Sequence, residues 1–221
     1  AKSANSITTI VSDNVETYSK SAEINKFGAR FKYSRFLNLI DGSSEGITSN
    51  ITTITIRRDL RVALNSFAEY EICYGNRFFV KEGGYNIKSS GFNIAGISAT
   101  VYLTDMPDDT HEKGTIDIFT LDSATQPRIV KKSVGVIDYI KGEIKLSPIN
   151  ITNTVIQKGF PLIEISAIPY SNDVIGLQDL YLQLDLNQTE VTSKPDNIAS
   201  GVDVSGSNYL VTSSYTNGSL V

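Results

Sequence analysis

The sequence predicts an α+β fold that is mainly antiparallel β, with one N-terminal amphipathic helix and an extended C-terminal arm. Three observations carry this. From residue 51 to residue 186, short β-rich runs recur about every ten residues with turn residues between them, the spacing of antiparallel sheets. Before that region Ile24, Phe27 and Phe31 recur at helical spacing. After Val191 the chain turns rich in Ser, Gly and Asn, a composition that buries too little to fold alone.

Taken in order, Ser3 to Thr17 is polar and β-leaning. Tyr18 to Ile40 reads as one amphipathic helix with Gly28 as the place for a bend, stopped by Asp41-Gly42-Ser43-Ser44. From Ile51 the period changes to two: Ile51, Thr53, Thr55 and Arg57 alternate with Thr52, Ile54, Ile56 and Arg58, and the β pattern runs with breaks to Tyr74. Further strands are expected at Arg77 to Val80 and Tyr85 to Ile87, joined through Gly83-Gly84. Others follow at Ile97 to Thr104, Gly114 to Leu121, Ile129 to Asp138, Glu143 to Ile151, Leu162 to Ile168 and Leu180 to Leu186. Between them there is no helix long enough for a βαβ crossover. Val134 to Ile151 reads as a complete β-hairpin around Tyr139-Ile140-Lys141-Gly142, the glycine supplying the left-handed residue. Val134 and Val136 are expected on one face of its first strand, and Ile144 and Leu146 on one face of the second. The divisions that follow are 1–48 as an N-terminal segment with the helix, 49–192 as the β domain and 193–221 as the arm.

With 221 residues, 40% of them hydrophobic, the chain can bury a sizeable core. Twenty Lys and Arg against 24 Asp and Glu give a net charge of -4, and no basic cluster exceeds Arg57-Arg58 or Lys131-Lys132, which argues against nucleic acid as a partner. The apolar runs fall well short of a membrane span, and no secretory signal opens the sequence, so no membrane partner is expected. The single Cys73 forbids an internal disulfide. Within the β-like run Tyr70 to Tyr74 it reads as a buried, inert thiol, compatible with a reducing compartment.

Residues able to carry chemistry are few. Asp105, Asp108, Asp109, His111 and Glu112 cluster around Met106-Pro107, but their spacing fits no EF-hand loop, and they read as a solvated acidic turn. His111 is the only histidine, so any zinc site or catalytic triad would depend on it; it reads as an exposed loop residue. Glu69 and Glu71 share a strand face, and Asp117, Asp138 and Glu164 lie in or near other strands, which leaves a glycosidase-like pair geometrically possible. No Walker loop or GxGxxG occurs. Asn-x-Ser/Thr sequons begin at Asn50, Asn150, Asn187 and Asn217 and, with no secretory context, read as products of composition. Eleven tyrosines without a tryptophan suit either a sugar-binding face or a protein interface. The expected entries are therefore no catalytic residues, no metal ligands and no cofactor.

Three blocks, read together, carry a resemblance: SRFLNLIDGSSEGITSNITTITIRRDL (Ser34 to Leu60), EYEICYGNRFF (Glu69 to Phe79) and VGVIDYIKGEIKLSPINI (Val134 to Ile151). Over roughly residues 30–152 the chain resembles the C-terminal part of the baseplate wedge protein of T4-like contractile-tailed phages, the inner-ring wedge subunit related to the J-like baseplate family. The resemblance implies a structural subunit of the virion tail baseplate, assembled in the host cytoplasm. Such a subunit pairs with itself as a homodimer within a ring, binds other wedge proteins and rearranges on tail contraction; no catalytic residues come with it. Candidate interface residues are Tyr139 and Ile140 in the hairpin loop and Tyr209, Leu210, Val211 and Tyr215 in the arm. A carbohydrate- or receptor-binding β-module is the second reading, and an unrelated hydrolase the third.

Overall fold

Ser3 caps the first helix, its Oγ accepting from the Ser6 amide at 3.3 Å. A computed structural model describes residues 3–123, 125–177 and 180–195, together with the backbone of two short strands at 215–216 and 219–220. The first segment corrects the β-leaning reading: it is helix α1 (Ala4–Ser19). Ile7, Val11, Val15 and Tyr18 recur at spacings of four and three, and burying that stripe outweighs the weak β preference of Ile, Thr and Val. The single helix expected over Tyr18 to Ile40 is also corrected. Gly28 takes φ +62° and ends any helical path, strand β1 (Arg30–Phe31) follows, and only Tyr33–Asp41 is helical as α2.

The remaining strands, in chain order, are β2 (Ile56–Arg61), β3 (Phe67–Cys73), β4 (Lys88–Ser89), β5 (Phe92–Ile94), β6 (Ile97–Pro107), β7 (Lys113–Leu121) and β8 (Pro127–Asp138). Then come β9 (Glu143–Asn153), β10 (Val155–Gln157), β11 (Phe160–Ala167), β12 (Val174–Ile175), β13 (Tyr215–Thr216) and β14 (Ser219–Leu220). Every pairing among them is antiparallel. β5, β6, β7, β8 and β9 pair in sequence, and β9 pairs back with β5, which closes a five-stranded barrel. Closure leaves these strands no open edge. β3 adds to β9 outside the ring, while β10, β11 and β2 form a second sheet with β4 on β11. Inward residues such as Val101, Leu103, Ile116, Ile118, Ile137 and Ile144 fill the barrel core, and Ile163 and Ile165 of the second sheet join it.

Two irregularities have identifiable causes. Between Ala68 and Tyr70 the β3–β9 register slips, opposite Ser147-Pro148, where the proline has no amide to give the ladder. In β8 extra residues sit between the partners of Ile116 and Ile118, with Ser133 at φ +53°. That bulge resets the alternation, so Val134 and Ile137 are buried whereas Val136 is 56% exposed. The expected common face for Val134 and Val136 is thereby corrected; Ile144 and Leu146 do share the buried face.

A second, smaller core gathers α1, α2, β1 and β12 around Tyr18, Phe31 and Phe36, whose rings lie 5.3–6.3 Å apart. Ile54, Leu182, Leu184 and Val191 pack onto it. Among the described residues several period-two runs gain no strand partner. Ile51 to Thr55 and Leu180 to Leu186 are outside any strand apart from a lone Phe27–Tyr181 bridge, Arg77 to Val80 has only the Phe78–Pro169 bridge, and Tyr85 to Ile87 precedes β4. Each run lies where long-range topology, which alternation does not encode, supplies no neighbour. Among the described residues no helix is long and apolar enough to cross a membrane.

Candidate assembly surface

Asp138 and Glu143 face each other at the ends of β8 and β9, and four residues connect them. The Gly142 amide donates to the Asp138 carbonyl at 2.9 Å, and the Lys141 amide donates to Asp138 Oδ1 at 2.9 Å. Gly142 has φ +68°, the left-handed residue that the sequence requires, and a Cβ there would strike the Asn76 carbonyl. The loop's two candidate interface residues then part company. Ile140 is 43% exposed, but Tyr139 is fully buried, its hydroxyl donating to Asp105 Oδ2 at 2.6 Å. As a surface contact Tyr139 is corrected: burial and the neighbouring Asp105 carboxylate push its phenol well above the ordinary range. Tyr209, Leu210 and Val211 lie outside the described residues, and Tyr215 is described only by its backbone in β13.

Asp105 itself corrects the solvated-turn reading. It is fully buried at the end of β6, where Oδ1 accepts from the Ile87 amide at 2.7 Å. One carboxylate thus ties three parts of the chain: the approach to β4, strand β6 and the β8–β9 loop. The rest of that acidic turn is exposed, including His111 at φ +57°. Asp108 accepts from Thr110, whose hydroxyl and amide hold its carboxyl below the usual range.

Of the other carboxylates weighed for catalysis, Glu69 is exposed, and Glu71, Asp117, Asp138 and Glu164 have structural partners. Asp117 Oδ1 accepts from the Ser133 amide at 2.8 Å and so holds the β8 bulge. Glu164 accepts from Gln157 at 2.9 Å and lies 3.6 Å from Arg57. Glu71 and Glu143 flank Lys145 at 3.3 and 3.8 Å on the exposed face of β3 and β9. Cys73 sits beside them and is exposed rather than buried, a correction the alternation explains, since Ile72 and Tyr74 take the inward positions. Its Sγ lies 3.5 Å from Glu143 Oε1. Partial burial, then hydrogen bonds and charge from Glu143 and Glu71, push the thiol up, away from thiolate chemistry.

What the surface offers instead is apolar. Hairpin β10–β11 turns through Lys158 and Gly159 at φ +51° and +82°, and presents Val155, Ile156 and Phe160 at 52, 66 and 42% exposure. Arg61 lies over the Phe160 ring, 3.7 Å from its centroid. The sequence reading missed this hairpin, although Val-Ile-Gln-Lys-Gly-Phe holds its signal: apolar residues that do not alternate, around a turn glycine. A second apolar site packs the Phe27 and Tyr181 rings at a tilt, their centroids 4.2 Å apart, with both residues 58% exposed. Between the two cores runs a groove lined by residues 46–59 and 174–177 and 180–195. Within it Arg57 pairs with Asp59, Glu164 and Asp185.

Residues 1–59, from α1 into β2, match the family model described as baseplate structural protein gp6, C-terminal domain III. It is a baseplate family, as the resemblance implies, and of the three blocks only Ser34 to Leu60 overlaps the matched residues. The matched segment supplies both helices and most of the small core. No curated protein matches the chain.

Proposed function

We propose that this chain is a structural subunit of a contractile phage tail baseplate that forms ring and wedge contacts by self-association and binds other baseplate proteins. The family match over residues 1–59 carries this reading. The part played by the β body, which the match does not reach, is read from its surface. Exposed Val155 and Phe160 on one face of the β10–β11 hairpin, with Ile156 on the other, are apolar surface that water disfavours, and such surface marks sites of association. Ile140, 43% exposed, remains a candidate contact on the β8–β9 loop, and Tyr209, Leu210, Val211 and Tyr215 remain candidates on the arm. In this reading residues 1–48, 49–192 and 193–221 are three contact-making units, the protein has no catalytic role, and its place is the virion tail.

Lysine at Val155 and Ile156 tests the hairpin directly. Both side chains already face solvent, so the double variant is expected to keep its melting temperature within about 2 °C, in line with surface substitutions within about 0.5 kcal/mol. Self-association, followed by sedimentation, is expected to weaken at least tenfold, the equivalent of about 1.4 kcal/mol lost from the contact. Unchanged association in a folded variant removes β10–β11 from the interface.

A further inference from the structure

Ile51 to Thr55 reads as a strand and yet has no strand partner among the described residues. None of its amides donates to a described carbonyl, and the Thr52 carbonyl is taken only by the Tyr33 hydroxyl at 2.6 Å. Ile51 is wholly exposed, and β2, which continues this segment, pairs among the described strands with β11 alone. An extended β-rich run with free backbone groups is a template for one further strand.

Pro195, the last residue described before the arm, lines the same groove. Beyond lies the arm, whose described part is β13 paired with β14 around Asn217-Gly218, Tyr215 opposite Leu220. A two-stranded hairpin by itself is marginal in water and needs a third strand. Immediately upstream of β13 stands Tyr209-Leu210-Val211-Thr212-Ser213, rich in residues that favour strands.

We propose that the groove edge at Ile51–Thr55 is the seat of the same chain's residues 209–213, added as a β-strand that brings the β13–β14 hairpin onto the body. The reach is sufficient. Thirteen residues lie between Pro195 and Tyr209, a connection that can span up to about 45 Å, and Pro195 lines the same groove as Ile51 to Thr55, a segment only about 13 Å long. Pairing would give the free amides acceptors and place an apolar side chain from the arm across from Ile51. The inference stands on the groove and the arm and is independent of the baseplate reading.

Disulfide scanning in the full chain tests it. In a Cys73→Ser background, Thr53→Cys is combined in turn with cysteine at Tyr209, Leu210, Val211, Thr212 and Ser213. Mild oxidation is expected to give links within one chain, read on non-reducing gels, with yields that alternate several-fold along 209–213 as every second side chain faces position 53. Links only between two chains, yields without alternation, or no link at any position overturn the proposal.

Discussion

Replacing Asp105 by alanine is expected to cost about 2–4 kcal/mol of folding stability, because it leaves two buried donors, the Ile87 amide and the Tyr139 hydroxyl, without their acceptor. Both donors sit at residues that are at most 1% exposed, so water cannot take the carboxylate's place without opening the core. The loss spreads along the chain, since Asp105 joins the approach to β4 with β6 and with the β8–β9 loop. Denaturant unfolding measures it as a lower midpoint at unchanged slope. Asp105→Asn keeps an oxygen for one donor and is expected to lose less. An alanine variant as stable as the parent refutes the bracket assigned to this side chain.

Gly142→Val carries the second large effect. The position combines φ +68° with a Cβ path that runs into the Asn76 carbonyl, and a β-branched residue meets both penalties at once. Left-handed backbone costs a residue with a Cβ about 1–2 kcal/mol. The clash adds to it, because backbone from another segment cannot move aside as a flexible side chain does. The loop that Gly142 closes buries Tyr139 and aligns Ile137 with Ile144, so the distortion reaches the barrel core. A combined loss above about 3 kcal/mol by thermal or denaturant unfolding is expected; a loss below about 1 kcal/mol contradicts the steric reading.

These two residues show how unevenly the sequence exposes its structure. Gly142 is legible: a glycine closing a short connection between β-rich runs announces a hairpin, and the strands of β6, β7, β8 and β9 follow from alternation and turn spacing alone. Asp105 is not legible, because its neighbours Asp108, Asp109 and Glu112 are solvated and nothing in the local pattern separates the buried carboxylate from the exposed ones. The separation comes from Ile87 and Tyr139, which are distant in the chain. The first helix was missed for a different reason. Thr8, Thr9, Ile10 and Val11 favour strands individually, but Ile7, Val11, Val15 and Tyr18 form a helical stripe, and periodicity outranks propensity when a partner surface exists. Conversely Leu180 to Leu186 alternates as a strand should, yet alternation fixes only which side is apolar and not whether a neighbouring strand is present.

The candidate surface divides in the same way. The place of Ile140 in a hairpin loop makes it an expected contact, and the loop leaves it exposed. Tyr139, one residue earlier, was not separable from it until the barrel placed its ring inside and its hydroxyl on Asp105. Val155, Ile156 and Phe160 went unread because an apolar run beside a turn looks like any core strand; only their exposure distinguishes them. Cys73 is the reverse case, as the parity of Tyr70 to Tyr74 already put it opposite the buried Ile72 and Tyr74.

Assembly through protein contacts is the central claim, and the molar mass of the full chain in solution tests it most directly. Light scattering over a concentration series reaching tens of micromolar, roughly the range that reveals weak interfaces, is expected to show mass rising above the 24.1 kDa of one chain toward a dimer or larger closed assembly. A mass that stays at one chain across the whole series contradicts self-association and with it the proposed role of the apolar hairpin.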